Sequence, residues 1–271
     1  MKILNGKELA EYIKQRQAGE VRALRQAHHI FPKLAIVLCN DDPVINTYIR
    51  LKKKYGAEIQ IDVDVYDISQ QEIAKNLQSL NADESVHGII VQLPLIDTSE
   101  TDEIVNMVSP DKDVDALGAK AQFEPATPMA IQWLLAGYNV DLQGKKVLLV
   151  GRGKLVGAPL EKILTQSGVD VIVADRDTET LSQLSKNSDV IITATGSPAI
   201  IYSDMVKQGA VVVDAGVASE DGKTVGDVAP DVYDRDDITI TPTKGGVGPL
   251  TVSALFENVI RAAKRKVDQN K

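Results

Sequence analysis

The sequence predicts an α/β fold in two domains built on parallel sheets, and three observations carry that prediction. Short β-branched runs alternate with helical patterns along the whole chain, the order that crossover-connected parallel strands require. At 271 residues the chain is long enough for two ordinary domains, each with its own core. One apolar run in the second half, Lys145–Val150, passes directly into a glycine turn and then a helix.

In the first half, strands are expected at Lys33–Cys39, Glu58–Tyr66 and Gly88–Gln92, with helices over roughly Gly6–Gln26, Pro43–Gly56 and Gln70–Leu80. Asp42 before Pro43 is a helix start: the acid caps free N–H groups and proline suits the first turn. The stretch Pro110–Pro128, rich in Asp, Lys, Ala and Pro, reads as a connection, and a helix from about Pro128 to Leu135 leads into the second half. There the strands read Lys145–Val150, Asp170–Ala174, Asp189–Ala194, Ala210–Asp214 and Ile238–Thr241. A last helix, Leu250–Lys266, carries Val252, Leu255, Phe256, Val259, Ile260 and Ala263 at helical spacing, so its apolar face needs a partner.

Composition narrows the function classes. Thirty basic residues against thirty-eight acidic ones give a net charge of -8, which argues against broad nucleic-acid binding. No apolar run approaches membrane-spanning length, and the residues after Met1 lack the apolar core of a secretory leader. A cytoplasmic protein is therefore expected. The lone cysteine, Cys39, closes the apolar run Leu34–Leu38 and reads as a buried strand thiol. With His28, His29 and His87 as the only histidines, no cluster has zinc spacing and no metal is expected.

The chemistry concentrates at Lys52. Ile45, Tyr48, Ile49, Lys52, Tyr55 and Gly56 share one helical stripe, while Arg50, Lys53 and Lys54 fall on the other side. A lysine among apolar and aromatic neighbours loses solvation, drops in pKa and becomes able to shuttle protons; the alternative is a lysine that snorkels to water. Gln92 ends the strand Gly88–Gln92, where an amide either holds a neighbouring lysine in one rotamer or satisfies a loop backbone. The charged run Asp111-Lys112-Asp113-Val114-Asp115 reads either as a solvated turn or as an acid that accepts from an amino-pyrimidine edge.

Gly151-Arg152-Gly153-Lys154-Leu155-Val156-Gly157 follows the strand Lys145–Val150 at once. Its glycines permit a tight turn and close approach of backbone to a pyrophosphate, with a helix N-terminus aimed at that charge. The spacing has one residue more than the usual dinucleotide fingerprint. Further glycine turns close later strands: Thr195-Gly196-Ser197, Ala215-Gly216-Val217 and Lys244-Gly245-Gly246-Val247-Gly248-Pro249. In a doubly wound sheet these turns ring one crevice, so the second domain is expected to be a Rossmann-type cofactor domain.

Taken together, these segments resemble the bifunctional methylenetetrahydrofolate dehydrogenase/methenyltetrahydrofolate cyclohydrolase family. The resemblance runs in order through Tyr48-x-x-x-Lys52, Gly88–Leu95, Pro110–Asp115, Thr127-Pro128, Gly151–Pro159, Gly226-Asp227-Val228 and Gly245–Thr251. It implies oxidation of 5,10-methylenetetrahydrofolate by NAD(P)+ and hydrolysis of the methenyl product to 10-formyltetrahydrofolate, in a cleft between the domains of a homodimer. It implies Lys52 as general acid/base, Gln92 as the residue that orients it, Tyr48 packed on the folate rings and Asp115 on the pterin edge. Gly248 and Pro249 are expected at the substrate, and Gly151, Arg152, Gly153, Gly157, Asp175, Arg176, Gly196 and Val217 at the cofactor. The resulting domains are 1–120 for folate chemistry, completed by the helix 250–271, and 121–249 for the cofactor.

Two rival classes stand beside it: another Rossmann dehydrogenase, and a non-catalytic or monofunctional folate or nucleotide binder. Cofactor choice rests on opposing residues. Asp175 ends the second strand, where an acid accepts from an NAD ribose, while Arg152 and Arg176 suit a 2′-phosphate. NADP is the expected cofactor, with NAD the alternative. The chain departs from the family pattern at Ile45 (usually serine), Ala116 (usually glycine), Ala126 (usually cysteine), Gly153 (usually serine) and Thr243-Lys244 (usually Val-Pro), and the segment from Ala116 to Thr127 is shortened.

Overall fold

The computed structural model describes residues 1–220 and 223–269, in two compact units. In chain order the elements are β1 (Lys2–Ile3), α1 (Gly6–His28), β2 (Lys33–Leu38), α2 (Pro43–Glu58), β3 (Asp62–Asp67), α3 (Gln70–Ala82), β4 (Gly88–Val91) and α4 (Thr101–Val105). They continue with α5 (Ala126–Gly137), β5 (Lys146–Val150), α6 (Gly157–Gln166), β6 (Asp170–Ala174), α7 (Leu181–Lys186) and β7 (Val190–Thr193). Last come β8 (Val211–Asp214), β9 (Ala218–Glu220), β10 (Lys223–Val225), β11 (Thr239–Ile240) and α8 (Val247–Gln269).

One unit, Glu11–Ala126 with Val252–Lys271, holds a parallel sheet in the order β3-β2-β4. Its middle strand β2 is apolar and buried, and Ala35, Val37, Ile89 and Val91 pack against Ile73, Leu77 and Leu80 of α3. Residues 252–269 of α8 belong to this unit, as the apolar stripe requires: Leu255, Phe256, Val259, Ile260 and Ala263 are all buried. Residues 270 and 271, included in the expected helical segment, lie outside the described residues.

The other unit, Met1–Ala10 with Thr127–Thr251, holds a six-stranded sheet in the order β1-β11-β8-β7-β5-β6, parallel throughout. This is the Rossmann-like doubly wound arrangement. The first ten residues depart from the expected boundary. β1 pairs with β11, with Leu4 N–H donating to the Ile240 carbonyl at 2.9 Å, so the chain start belongs to the unit with the six-stranded sheet.

Element boundaries shift for local reasons. The strand expected from Glu58 begins at Asp62, because α2 runs to Glu58 and is closed by Gln60 at φ +63°, with Ile61 N–H donating to the Gly56 carbonyl at 2.8 Å. The last helix starts at Val247, three residues before its expected start. Cys39 is buried just past β2, its Sγ 3.8 Å from Gln70 Oε1. Among the described residues, no helix is long and apolar enough to cross a membrane.

Candidate active site

The residues expected on the folate side lie on the carboxyl ends of the three-stranded sheet. β2 leads into α2, whose first turn is capped by Asp42: its Oδ1 accepts from Ile45 N–H at 3.4 Å and its carbonyl accepts from Asn46 N–H at 2.9 Å. Ile45, Ile49, Gly56 and Ile59 are buried, which fixes the rotation of α2; each apolar side chain so buried contributes about 1.5–3 kcal/mol. Tyr55 strengthens the anchor, stacked on Phe256 at 5.1 Å, with its hydroxyl donating to Gln17 Oε1 at 2.8 Å. On that fixed helix Lys52 is half-buried, and Tyr48, one turn earlier, stays 42% exposed with its ring available for stacking.

Gln92 follows β4, and its N–H donates to the Val37 carbonyl of β2 at 2.8 Å. Its side-chain oxygen accepts from Lys52 Nζ at 2.8 Å, while its amide nitrogen donates to the Leu93 carbonyl at 3.1 Å. Both readings open for Gln92 are thus realised at once by its two ends. Asp113 bridges to Ile89 in parallel, with Ile89 N–H donating to the Lys112 carbonyl at 2.8 Å, so Asp115, two residues on, emerges near the end of β4 where Gln92 stands.

Electrostatics couple these groups. Burial holds the Lys52 ammonium below the usual lysine range, and the Asp115 carboxylate works against that fall. Asp115 is pushed above the usual carboxylate range by burial, with Lys52 opposing. Asp113, buried beside it, is raised to about 6 by burial, although its carboxylate accepts from Gly118 N–H at 2.8 Å. Lys112 plays a structural part: its Nζ donates to the carbonyls of Leu80, Asn81 and Asp83 at the end of α3.

In the doubly wound unit the glycine turn lies between β5 and α6. Gly151 has φ +104° and its N–H donates to the Ala174 carbonyl at 2.8 Å, which sets the turn beside the end of β6 and Asp175. A Cβ on Gly157 would stand 2.0 Å from the Gly151 carbonyl oxygen, so only glycine lets α6 start this close to the strand end. The helix start carries no side-chain cap. A backbone cradle with an uncapped helix N-terminus suits a pyrophosphate, so the residues present fit a dinucleotide.

The other residues expected at the cofactor divide. Gly196 and Val217 are neighbours at the ends of β7 and β8, since a Cβ on Gly196 would stand 3.3 Å from the Val217 carbonyl oxygen; Val217 is 56% exposed. Arg152 is paired with Glu161, Nε to Oε2 at 2.8 Å and Nη2 to Oε1 at 3.3 Å. Asp175 Oδ1 accepts from Asp177 N–H and the Thr178 hydroxyl, closing a local turn, and Arg176 beside it is exposed. Gly153 is exposed with open space where a side chain would be. Gly248, in the first turn of α8, is exposed and Pro249 half-buried. Among the described residues, no group of three or more His, Cys, Asp or Glu side chains is arranged to hold a metal.

Sequence reasoning gave no role to two carboxylates in this unit, the half-buried Asp214 and the buried Asp227. Asp214 Oδ1 accepts from Gly216 and Asp227 N–H at 3.0 and 3.1 Å, and Asp227 Oδ2 accepts from Thr195 N–H at 2.7 Å. Together they tie the turns after β7 and β8. Their signal was acids placed directly after apolar strands or between glycine and valine.

Two family models match the chain: the catalytic domain of tetrahydrofolate dehydrogenase/cyclohydrolase over residues 4–115, and its NAD(P)-binding domain over residues 125–267. The chain belongs to the tetrahydrofolate dehydrogenase/cyclohydrolase family. The bifunctional protein FolD of Lactobacillus helveticus is 37% identical over 281 residues, 99% of each chain. The crystal structure of the bifunctional FolD methylenetetrahydrofolate dehydrogenase/cyclohydrolase of Campylobacter jejuni matches at TM-score 0.93 and 36% identity, over 98% of this chain and 99% of that one. The Trypanosoma brucei FolD, complexed with NADP cofactor and inhibitor, matches at TM-score 0.92 and 29% identity over 98% of each chain. Ile45, where the resemblance led to the expectation of serine, is a buried apolar anchor, and Ala116, where it led to the expectation of glycine, takes φ +56°, a left-handed conformation natural to glycine.

Proposed function

We infer that the protein oxidises 5,10-methylenetetrahydrofolate to the methenyl form with NADP+ and then hydrolyses that product to 10-formyltetrahydrofolate. The observation that carries this reading is the bond from Lys52 Nζ to Gln92 Oε1 at 2.8 Å, made by a lysine of lowered proton affinity in a chain that matches both family domains. When bound, NADP+ supplies the hydride acceptor. For that step the protein's own contribution is positioning: the Gly151–Gly157 backbone holds the pyrophosphate, and Arg176 pairs with the 2′-phosphate. Arg152 is the weaker candidate for that phosphate, because Glu161 already engages it. Gly153, Asp175, Gly196 and Val217 complete the proposed cofactor contacts, and NAD remains the alternative dinucleotide.

Hydrolysis needs more from the side chains. Water adds to the cationic methenyl carbon as Lys52 takes its proton; the C–N bond to the ring nitrogen then breaks as Lys52 returns a proton to that nitrogen. Gln92 accepts from Nζ and keeps it in one rotamer. Tyr48 stacks on the folate rings, Asp115 accepts from the amino-pyrimidine edge, and the exposed Gly248 with Pro249 contacts the substrate. The proposed enzyme is a cytoplasmic homodimer. That reading rests on the family resemblance and on a sequence whose one cysteine allows no internal disulfide; a monomeric mass at micromolar concentration would remove the dimer.

The test is to add 5,10-methylenetetrahydrofolate with each dinucleotide and follow reduced-cofactor and methenyl absorbance together. Reduction of NADP+ with a methenyl signal that decays is expected. Tight folate binding without any cofactor reduction would leave a non-catalytic binder in its place.

A further inference from the structure

The segment from Asp115 to Phe123 runs between Val114 and Glu124, and one buried side chain holds those two ends together. Asn258 of α8, fully buried, donates from Nδ2 to the Val114 carbonyl at 2.9 Å and to the Glu124 carbonyl at 2.8 Å. Both hydrogens of that amide are spent on the two ends of the loop. Further along α8, Arg265 Nη1 donates to Gln122 Oε1 at 2.8 Å and its guanidinium lies 4.4 Å from the centre of the Phe123 ring. From within, the Asp113 carboxylate accepts from Leu117 and Gly118 N–H, and Asn106 Oδ1 accepts from Ala119 N–H at 2.8 Å.

We propose that Asn258 is a positioning residue for folate recognition: by clamping the Val114 and Glu124 carbonyls it fixes Asp115 for the substrate's amino-pyrimidine edge. The proposal rests on the reading of Asp115 given above and adds a residue that the pattern of motifs left out. The chemistry is specific to an amide. Leucine fills a similar volume without donors, and a carboxylate would face two carbonyl oxygens with none. On its N-terminal side Val114 is already held through its neighbours, Lys112 by the end of α3 and Asp113 by Gly118. Losing the clamp therefore frees the far side, where Asp115 and the left-handed Ala116 begin the loop. An acid displaced by an ångström or so no longer meets two ring donors at once, which weakens substrate binding before it touches proton transfer at Lys52.

A double-mutant cycle separates this role from plain folding support. Asn258→Leu, Asp115→Asn and the double variant are assayed for KM toward 5,10-methylenetetrahydrofolate, with the NADP Kd and circular dichroism as checks on the fold. Asn258→Ala serves if the leucine variant does not fold, because water can enter the space it leaves. Asn258→Leu is expected to raise the folate KM by roughly 10-fold or more with the NADP Kd held within about 2-fold, and to add less than about 2-fold once Asp115 is asparagine. Additive effects in the cycle, or an unchanged KM in both Asn258 variants while Asp115→Asn raises it, would overturn the proposal. If Asp115→Asn itself leaves KM unchanged, the reading of Asp115 fails first and the positioning role falls with it.

Discussion

Lys52 Nζ donates to Gln92 Oε1 across 2.8 Å, joining a helix that follows β2 to the residue that follows β4. Neither side chain could reach the other from a single element. The bond requires the parallel pairing of β2 with β4, in which Val37 lies opposite Val91 and Gln92 N–H returns to the Val37 carbonyl. The sheet register is thus what sets the Lys52 rotamer.

The pH dependence of hydrolysis follows from the same neighbourhood. Burial lowers the proton affinity of Lys52, and the Asp115 carboxylate partly restores it by favouring the ammonium. Asp115→Asn removes that support, so the pKa of Lys52 falls further. The acid limb of the cyclohydrolase kcat profile, where Lys52 must be neutral to accept a proton, is expected to move to lower pH. A limb that stays in place or moves to higher pH would separate Asp115 from Lys52.

Two glycines of the cofactor turn should behave oppositely. A Cβ on Gly157 meets the Gly151 carbonyl oxygen at 2.0 Å, so Gly157→Ala must open the turn; a Cβ on Gly153 meets nothing within 4 Å. Gly157→Ala is expected to weaken NADP binding by at least ~10-fold, the equivalent of about 1.4 kcal/mol. Gly153→Ser, which restores the usual family residue, should leave unfolding free energy within about 0.5 kcal/mol of the parent. Equilibrium titration of NADP and urea unfolding read the two effects.

Cofactor discrimination is expected to rest on Arg176. Arg176 is exposed and follows Asp175 just past β6, while Arg152 is held by Glu161. Arg176→Ala should lower kcat/KM for NADP by at least ~10-fold, as charge-assisted hydrogen bonds to a phosphate are lost, and leave NAD nearly unchanged. Equal kcat/KM for NADP in parent and variant would remove Arg176 from the phosphate site.

Ala116 offers a stability test outside the chemistry. It holds φ +56°, which costs an L-residue about 1–2 kcal/mol, and glycine gives back part of that gain through its looser unfolded chain. Ala116→Gly is expected to stabilise the fold by about 0.5–1 kcal/mol in urea unfolding. A loss of stability would mean that the Ala116 methyl makes contacts worth more than the strain.

Much of the fold was legible because buried parallel strands announce themselves as short apolar runs, and each expected strand has its counterpart within a few residues. Boundaries were less legible. Glu58 reads equally as the end of α2 or the start of a strand, and the left-handed Gln60 that decides it has no sequence mark as clear as glycine. The two-residue strand β1 was invisible, because Lys2–Ile3 is ordered only by its pairing with β11. At the site, Lys52 and Gln92 stood out through their strand-end and stripe positions. Asn258 did not, since a polar residue within an apolar helical face gives no hint of which distant carbonyls it serves.

Lys52→Met tests the central claim most directly, because methionine keeps most of the stem's packing and deletes the proton carrier. Methenyltetrahydrofolate hydrolysis is expected to fall by at least ~10²-fold, the usual scale for a general acid/base, while NADP-dependent dehydrogenation survives in part. Hydrolysis at a near-parent rate in that variant would contradict the account.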